Sequence, residues 1–161
     1  MGEAALKQRA LELWNRGVDY HLHGDFRSAI ALYDESIEVF PTAEAYTFRG
    51  WAFRFLGHLD DAIAECHKAI AVDPAFGNPY NDIGSYLMSK GDLDEAVEWF
   101  EKAKAAPRYE PRHYPFMNLG RLYAAKGMVL RAIQEFEGAL AIAPGQASCL
   151  EMLERLRAQL N

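Results

Sequence analysis

One glycine recurs at Gly17, Gly50, Gly84 and Gly120, and a second at Gly24, Gly57, Gly91 and Gly127, both at steps of 33, 34 and 36 residues. The same steps carry an alanine through Ala29, Ala62, Ala96 and Ala132, and a larger residue through Tyr33, Cys66, Phe100 and Phe136. Prolines close three of the units at Pro41, Pro74 and Pro144. Within Thr42–Pro74 the markers fall on two amphipathic runs: Tyr46, Gly50 and Phe53 share one helical face, and Ala62, Cys66 and Ala69 share another. Gly50 permits close approach of the two helices, and Gly57 supplies a left-handed residue that ends the first. A helix pair of this size leaves one apolar face uncovered, so neighbouring copies must stack on it.

This helix–turn–helix unit resembles the tetratricopeptide repeat family, whose pattern runs from a bulky residue through Leu-Gly and Tyr to Ala, Phe and Pro. The fourth unit matches it with Phe116, Leu119, Gly120, Tyr123, Ala132, Phe136 and Pro144, and the resemblance spans roughly residues 10 to 144. It implies an all-α, right-handed superhelical solenoid of four repeats, over about residues 10–42, 43–76, 77–112 and 113–146. A C-terminal capping helix follows over about 147–160, giving nine helices, no strand and a single domain over 1–161. The matching residues are packing residues, so they speak to fold and little to function.

Net charge narrows the partners. At −6, the chain lacks the basic surface that wholesale nucleic-acid or anionic-membrane binding requires. No apolar run reaches the length of a membrane span, and MGEAALKQRALELW reads as an amphipathic helix rather than a signal peptide. Gly2 follows Met1, but Leu6 stands where a myristoylation motif has Ser or Thr. The expected location is cytoplasmic. Cys66 and Cys149 have no pairing pattern, and Cys66 fills a core slot.

The first helix is expected from about Ala4 to His23, with Leu6 and Ala10 shielding the open end of the stack; Asp25 caps the next, which runs to about Phe40. After Ala105 the register slips by two residues through APRYEPRHYP, a stiff proline-rich connection. It reads either as a tolerated insertion or as a rigid loop presenting Arg108, Tyr109, Arg112 and His113. The last helix places Leu150, Leu153, Leu156 and Leu160 at mostly helical spacing to cover the final repeat.

Reactive chemistry has little to stand on. None of the five histidines forms a metal-ligand spacing with Cys, Asp or Glu, and every glycine is accounted for by a turn or a helix contact. The carboxylates of LDDA and DLDEA open second helices, where they complement the helix dipole. No catalytic residue, metal or cofactor is expected.

The informative positions are those the repeat leaves free on the concave side. They are Leu11, Trp14, Val18 and His21, then Thr47, Trp51 and Arg54 with Phe48 and Phe55 alongside. Asn78, Asn81, Asp82, Ser85 and Met88 follow, and then Tyr114, Met117, Asn118 and Arg121, so the groove turns from aromatic to polar. Trp14 and Trp51 read as near neighbours, either packed on adjacent helices or forming an apolar anchor pocket for a partner. Asn81 and Asn118 could hold the backbone of an extended peptide, and Arg54 and Arg121 could take carboxylates. The family resemblance offers one direct comparison. Chaperone-binding members clamp a partner's terminal carboxylate with Lys and Asn in one unit, Asn in the next, then Lys and Arg. Here those positions hold Trp14 and Val18, Phe48, then Asn78 and Asp82; one unit along they hold Thr47 and Trp51, Asp82, then Tyr114 and Asn118. Neither frame makes the clamp.

The expected function is a non-catalytic interaction scaffold that binds a peptide or partner protein through Trp14, Val18, Thr47, Trp51, Arg54, Asn81, Asp82, Ser85, Met117, Asn118 and Arg121. The alternative is self-association into a dimer or filament through Phe48, Trp51 and Phe55; a third reading is an enzyme subunit.

Overall fold

The computed structural model describes residues 1–161 as nine helices: α1 Glu3–Leu22, α2 Phe26–Val39, α3 Ala43–Phe55, α4 Leu59–Val72, α5 Asn78–Lys90, α6 Leu93–Ala105, α7 His113–Ala125, α8 Val129–Ile142 and α9 Ala147–Ala158. Helices α1 to α8 pack as four consecutive antiparallel pairs, and each pair stacks on the next to make a solenoid. Helices α1, α3, α5 and α7 also touch in succession, which places them along one side of the stack. No helix is long and apolar enough to cross a membrane.

The two glycine series do different physical work. Gly24, Gly57, Gly91 and Gly127 have φ of +80°, +88°, +87° and +73°. In each turn the next amide reaches back over the glycine to a carbonyl of the preceding helix, as where Asp92 N donates to Leu87 O at 2.9 Å. The inner series lies where the two helices of a pair cross. A Cβ on Gly17, Gly84 or Gly120 would sit 2.6–2.7 Å from the ring of Tyr33, Phe100 or Phe136. In the second unit Cys66 replaces the ring, the backbones close in, and a Cβ on Gly50 would lie 2.9 Å from the carbonyl oxygen of Ala62.

The core is continuous from α4 to α9, through Cys66, Ile83, Tyr86, Phe100, Leu119, Leu122, Phe136, Leu153 and Leu156. Around α1–α3 it is smaller: Ala29, Tyr33 and Ala52 are buried beneath the half-buried rings of Trp14, Phe26 and Phe48. In α9, Cys149, Leu153 and Leu156 are buried, while Leu150, and Leu160 just beyond the helix, stay exposed. Ion pairs repeat from unit to unit. Lys90 reaches Asp60 at 2.7 Å and, one unit later, Lys126 reaches Asp94, tying the end of an inner helix to the first turn of the preceding second helix. All four groups are accessible to water, so solvent and salt screen each pair and it adds little to stability. A less accessible network joins Arg49 to Glu65 at 2.6 Å and Asp34 at 2.8 Å, across α2, α3 and α4.

The proline-rich connection folds back on the chain: Tyr109 is buried, and Arg108, though exposed, is engaged within the protein. Gly77 N donates to Arg108 O at 2.9 Å and Arg108 N to Ala75 O at 3.0 Å, a short parallel bridge back to the preceding connection. The Arg108 guanidinium lies over the ring of Phe76 and pairs with Glu44 and Asp73. Arg112 donates to Lys104 O at 2.7 Å. Tyr109 is buried, its ring against Gly77, where a Cβ would come within 2.5 Å of it. The enlarged connection thus packs an aromatic side chain back onto Gly77, Ala103 and Ala106 of the third unit.

Candidate functional site

Helices α3, α5 and α7 hold a concave recess of about 210 Å³. Its lining comes from Thr47, Phe48 and Trp51 of α3, Asn78, Asn81 and Asp82 of α5, Tyr109 and Pro111 of the connection, and Tyr114 of α7. Asn78 and Asp82 stand one helical turn apart and so share a face of α5. The Asp82 carboxyl has its pKa raised from the ordinary 3.8 to about 7 by burial, against which the Arg54 guanidinium pulls it back down. It makes no ion pair within 4.0 Å, and the Oδ1 of Asn78 is buried without a hydrogen-bond partner.

Of the concave positions singled out in the sequence, the recess brings together Thr47, Phe48, Trp51, Asn78, Asn81, Asp82 and Tyr114. Thr47 is buried and its hydroxyl donates to Ala43 O at 2.7 Å, so that group is already satisfied within its own helix. Asn81 is buried and its Oδ1 accepts from Asn118 Nδ2 at 3.0 Å; Asn118 Oδ1 in turn accepts from Arg121 Nη1 at 3.2 Å. These side chains form a polar ladder from α5 along α7, leaving only part of each amide free for a ligand. Met117 lies in the core beneath the groove, and Ser85 is half-buried farther along α5.

The aromatic end of the groove is a packed cluster. Trp14 meets Phe48 edge to face at 5.3 Å, and Phe48 meets Trp51 the same way at 5.6 Å, so one phenyl ring joins the two indoles. Val18 packs beside them. His21 lies 4.2 Å from Trp51, accepts or donates one hydrogen bond with Tyr33 Oη at 3.2 Å, and is pushed down to a pKa of about 4 by burial. Phe55 stacks on Phe26 at 4.8 Å with its outer side exposed, and Arg54 rests against the Phe55 ring at 5.2 Å. Phe48 and Trp51, read as surface for self-association, thus bury much of their area within this chain.

Sequence reasoning missed Tyr109 and Pro111 as walls of the recess. The available signal was Gly77, which has no turn to make and whose missing side chain accommodates the Tyr109 ring.

This architecture is matched in sequence as well. The tetratricopeptide repeat profile fits residues 16–79 and 49–111, and a second profile of the same description fits residues 115–146. The chain belongs to the tetratricopeptide repeat family. Its relatives include the small glutamine-rich tetratricopeptide repeat-containing protein 2 of Mycosarcoma maydis, 38% identical over 79 residues. That match takes in 48% of this chain and only 22% of the relative's length. Among solved structures, one from work on Pseudomonas aeruginosa pilF superposes with a TM-score of 0.90 at 22% identity, over 96% of this chain and 70% of that one. This likeness speaks for the tetratricopeptide fold alone. The second tetratricopeptide domain of Spaghetti (RPAP3), bound to the HSP90 peptide SRMEEVD, superposes with a TM-score of 0.58 at 25% identity, over 62% of this chain and 94% of that domain.

Proposed function

We propose that the chain is a non-catalytic interaction module that binds an extended peptide segment of a partner protein along its concave side. The observation that carries this reading is the recess between α3, α5 and α7, where aromatic walls meet polar groups with unused hydrogen-bonding capacity. Tyr114 is 44% exposed at its rim and supplies contact area with few rotamers to freeze. The free portions of the Asn81 and Asn118 amides offer donors to a peptide backbone without reading its sequence. The peptide-bound structure of the Spaghetti (RPAP3) domain supports peptide binding as a use of this fold. A peptide with the paired glutamates of that one fits poorly here, because it would meet the Asp82 carboxylate.

Selection of random dodecapeptides displayed on phage against the full chain tests the proposal. Selected peptides are titrated by fluorescence polarisation against the native chain and Tyr114→Ala. The expected result is binding that weakens by about tenfold in the variant, in keeping with loss of a central aromatic contact. Failure to select any peptide, or affinities indifferent to Tyr114→Ala, would reject the groove as the binding surface.

A further inference from the structure

We infer that the recess beside Asp82 is a socket for a cationic side chain, so that the partner segment is a basic peptide that inserts a lysine or arginine between Trp51 and Tyr114. The inference rests on the groove reading above and adds the chemistry of its ligand.

Five carboxylates in the chain are withdrawn from solvent: Glu44, Glu65, Asp73, Asp82 and Glu135. Four have a cation. Glu44 and Asp73 pair with Arg108, Glu65 with Arg49 and Lys68, and Glu135 with Lys104. Asp82 alone has no ion pair. A carboxylate removed from water without an ion-pair partner is costly, and Arg54, the cation of this chain that acts on it, does so from beyond ion-pair distance. Arg54 is held against Phe55, and Arg121 is engaged with Asn118.

A second acceptor lies on the same helical face. Asn78 Oδ1 is buried with no donor, one turn before Asp82, and both residues line the recess. An ammonium or guanidinium group provides several N–H donors at once, which suits two acceptors set together. Besides Thr47, Asn81 and Pro111, the remaining walls are the aromatic residues Phe48, Trp51, Tyr109 and Tyr114, rings of the kind that attract a cation and cover the apolar stem of a long side chain. A neutral apolar side chain would leave both acceptors unpaired, and an anion would repel Asp82.

Pools of nine-residue peptides test the socket: the central position is fixed as Lys, Arg, norleucine or Glu, and the others are randomised among Ala, Ser, Leu, Asn and Tyr. Fluorescence polarisation is read with the full chain and with Asp82→Asn, an isosteric change whose folding is checked by circular dichroism. Lys and Arg pools are expected to bind the native chain at least about tenfold more tightly than the norleucine pool. Asp82→Asn should bring that ratio to within about twofold, chiefly by weakening the Lys and Arg pools. Equal binding of the Lys and norleucine pools, a preference for Glu, or a Lys preference that survives Asp82→Asn would overturn the socket and leave groove binding standing. Absence of binding by every pool would overturn both.

Discussion

Asn118 Nδ2 donates to Asn81 Oδ1 at 3.0 Å, linking α7 to α5 across 37 residues of sequence on the concave side of the solenoid. Asn81 is buried, so removing its partner strands an acceptor away from water. Asn118→Ala should lower stability by about 1–2 kcal/mol. A double-mutant cycle with Asn81→Ala, followed by urea denaturation, should recover a coupling of at least about 0.5 kcal/mol. Strict additivity would mean that the two amides do not tie the units together.

The glycine series should respond differently to alanine. Gly84→Ala drives a methyl group to 2.6 Å from the Phe100 ring, an overpacking cost of about 1–3 kcal/mol. Gly91→Ala meets no neighbouring atom and is penalised only by its φ of +87°, about 1–2 kcal/mol. The two are separated by rescue: a second change, Phe100→Leu, should recover part of the loss in Gly84→Ala and none of it in Gly91→Ala. Thermal melts of the four variants measure this.

His21 should make the fold sensitive to mild acid. Its ring is buried among Phe26, Phe48, Trp51 and Phe55 with Tyr33 as its polar partner, and its pKa falls from 6.5 to about 4. Between those values the unfolded chain binds more protons than the folded one, so stability present above pH 6.5 is lost as pH falls toward 4. His21→Phe should flatten the profile of melting temperature against pH in that window. An unchanged slope would show that His21 is not the group responsible.

Asp82 should act with the opposite sign. Its folded pKa is raised from 3.8 to about 7, so the folded chain binds the extra proton, and stability present below pH 3.8 is lost as pH rises through 7. The groups that act with it electrostatically are Arg54 of α3, Cys66 of α4, Tyr86 of α5 and Tyr109 of the connection. Asp82→Asn should therefore be the more stable protein at pH 8, by on the order of 1–3 kcal/mol, and nearly equal to the native chain near pH 4. Denaturant midpoints at the two pH values decide it; a variant less stable at pH 8 would show that the carboxylate has a stabilising partner.

Much of the architecture was written in single residues. The steps between glycines placed the four left-handed turns and three of the ring-against-glycine contacts, because those interactions lie within one unit and recur with its period. Asp25 was readable as a cap, and its side chain accepts from Ser28 N at 3.1 Å. Cys66 was readable as a core residue and is fully buried. The concave positions were legible as a face, which is why Thr47, Trp51, Asn81 and Asp82 were singled out before the recess was visible.

The tertiary structure decided which of those side chains remain free. Thr47 is satisfied by its own helix, Met117 sinks into the core, and Asn81 is held by Asn118, whereas Asp82 is left without a cation. Tyr109 turned out to pack on Gly77 instead of facing solvent. Periodicity determines which face of a helix a residue occupies, since 3.6 residues per turn is a local property of the backbone. It does not determine what stands opposite, because that depends on the offset between stacked units and on partners 30 or more residues away.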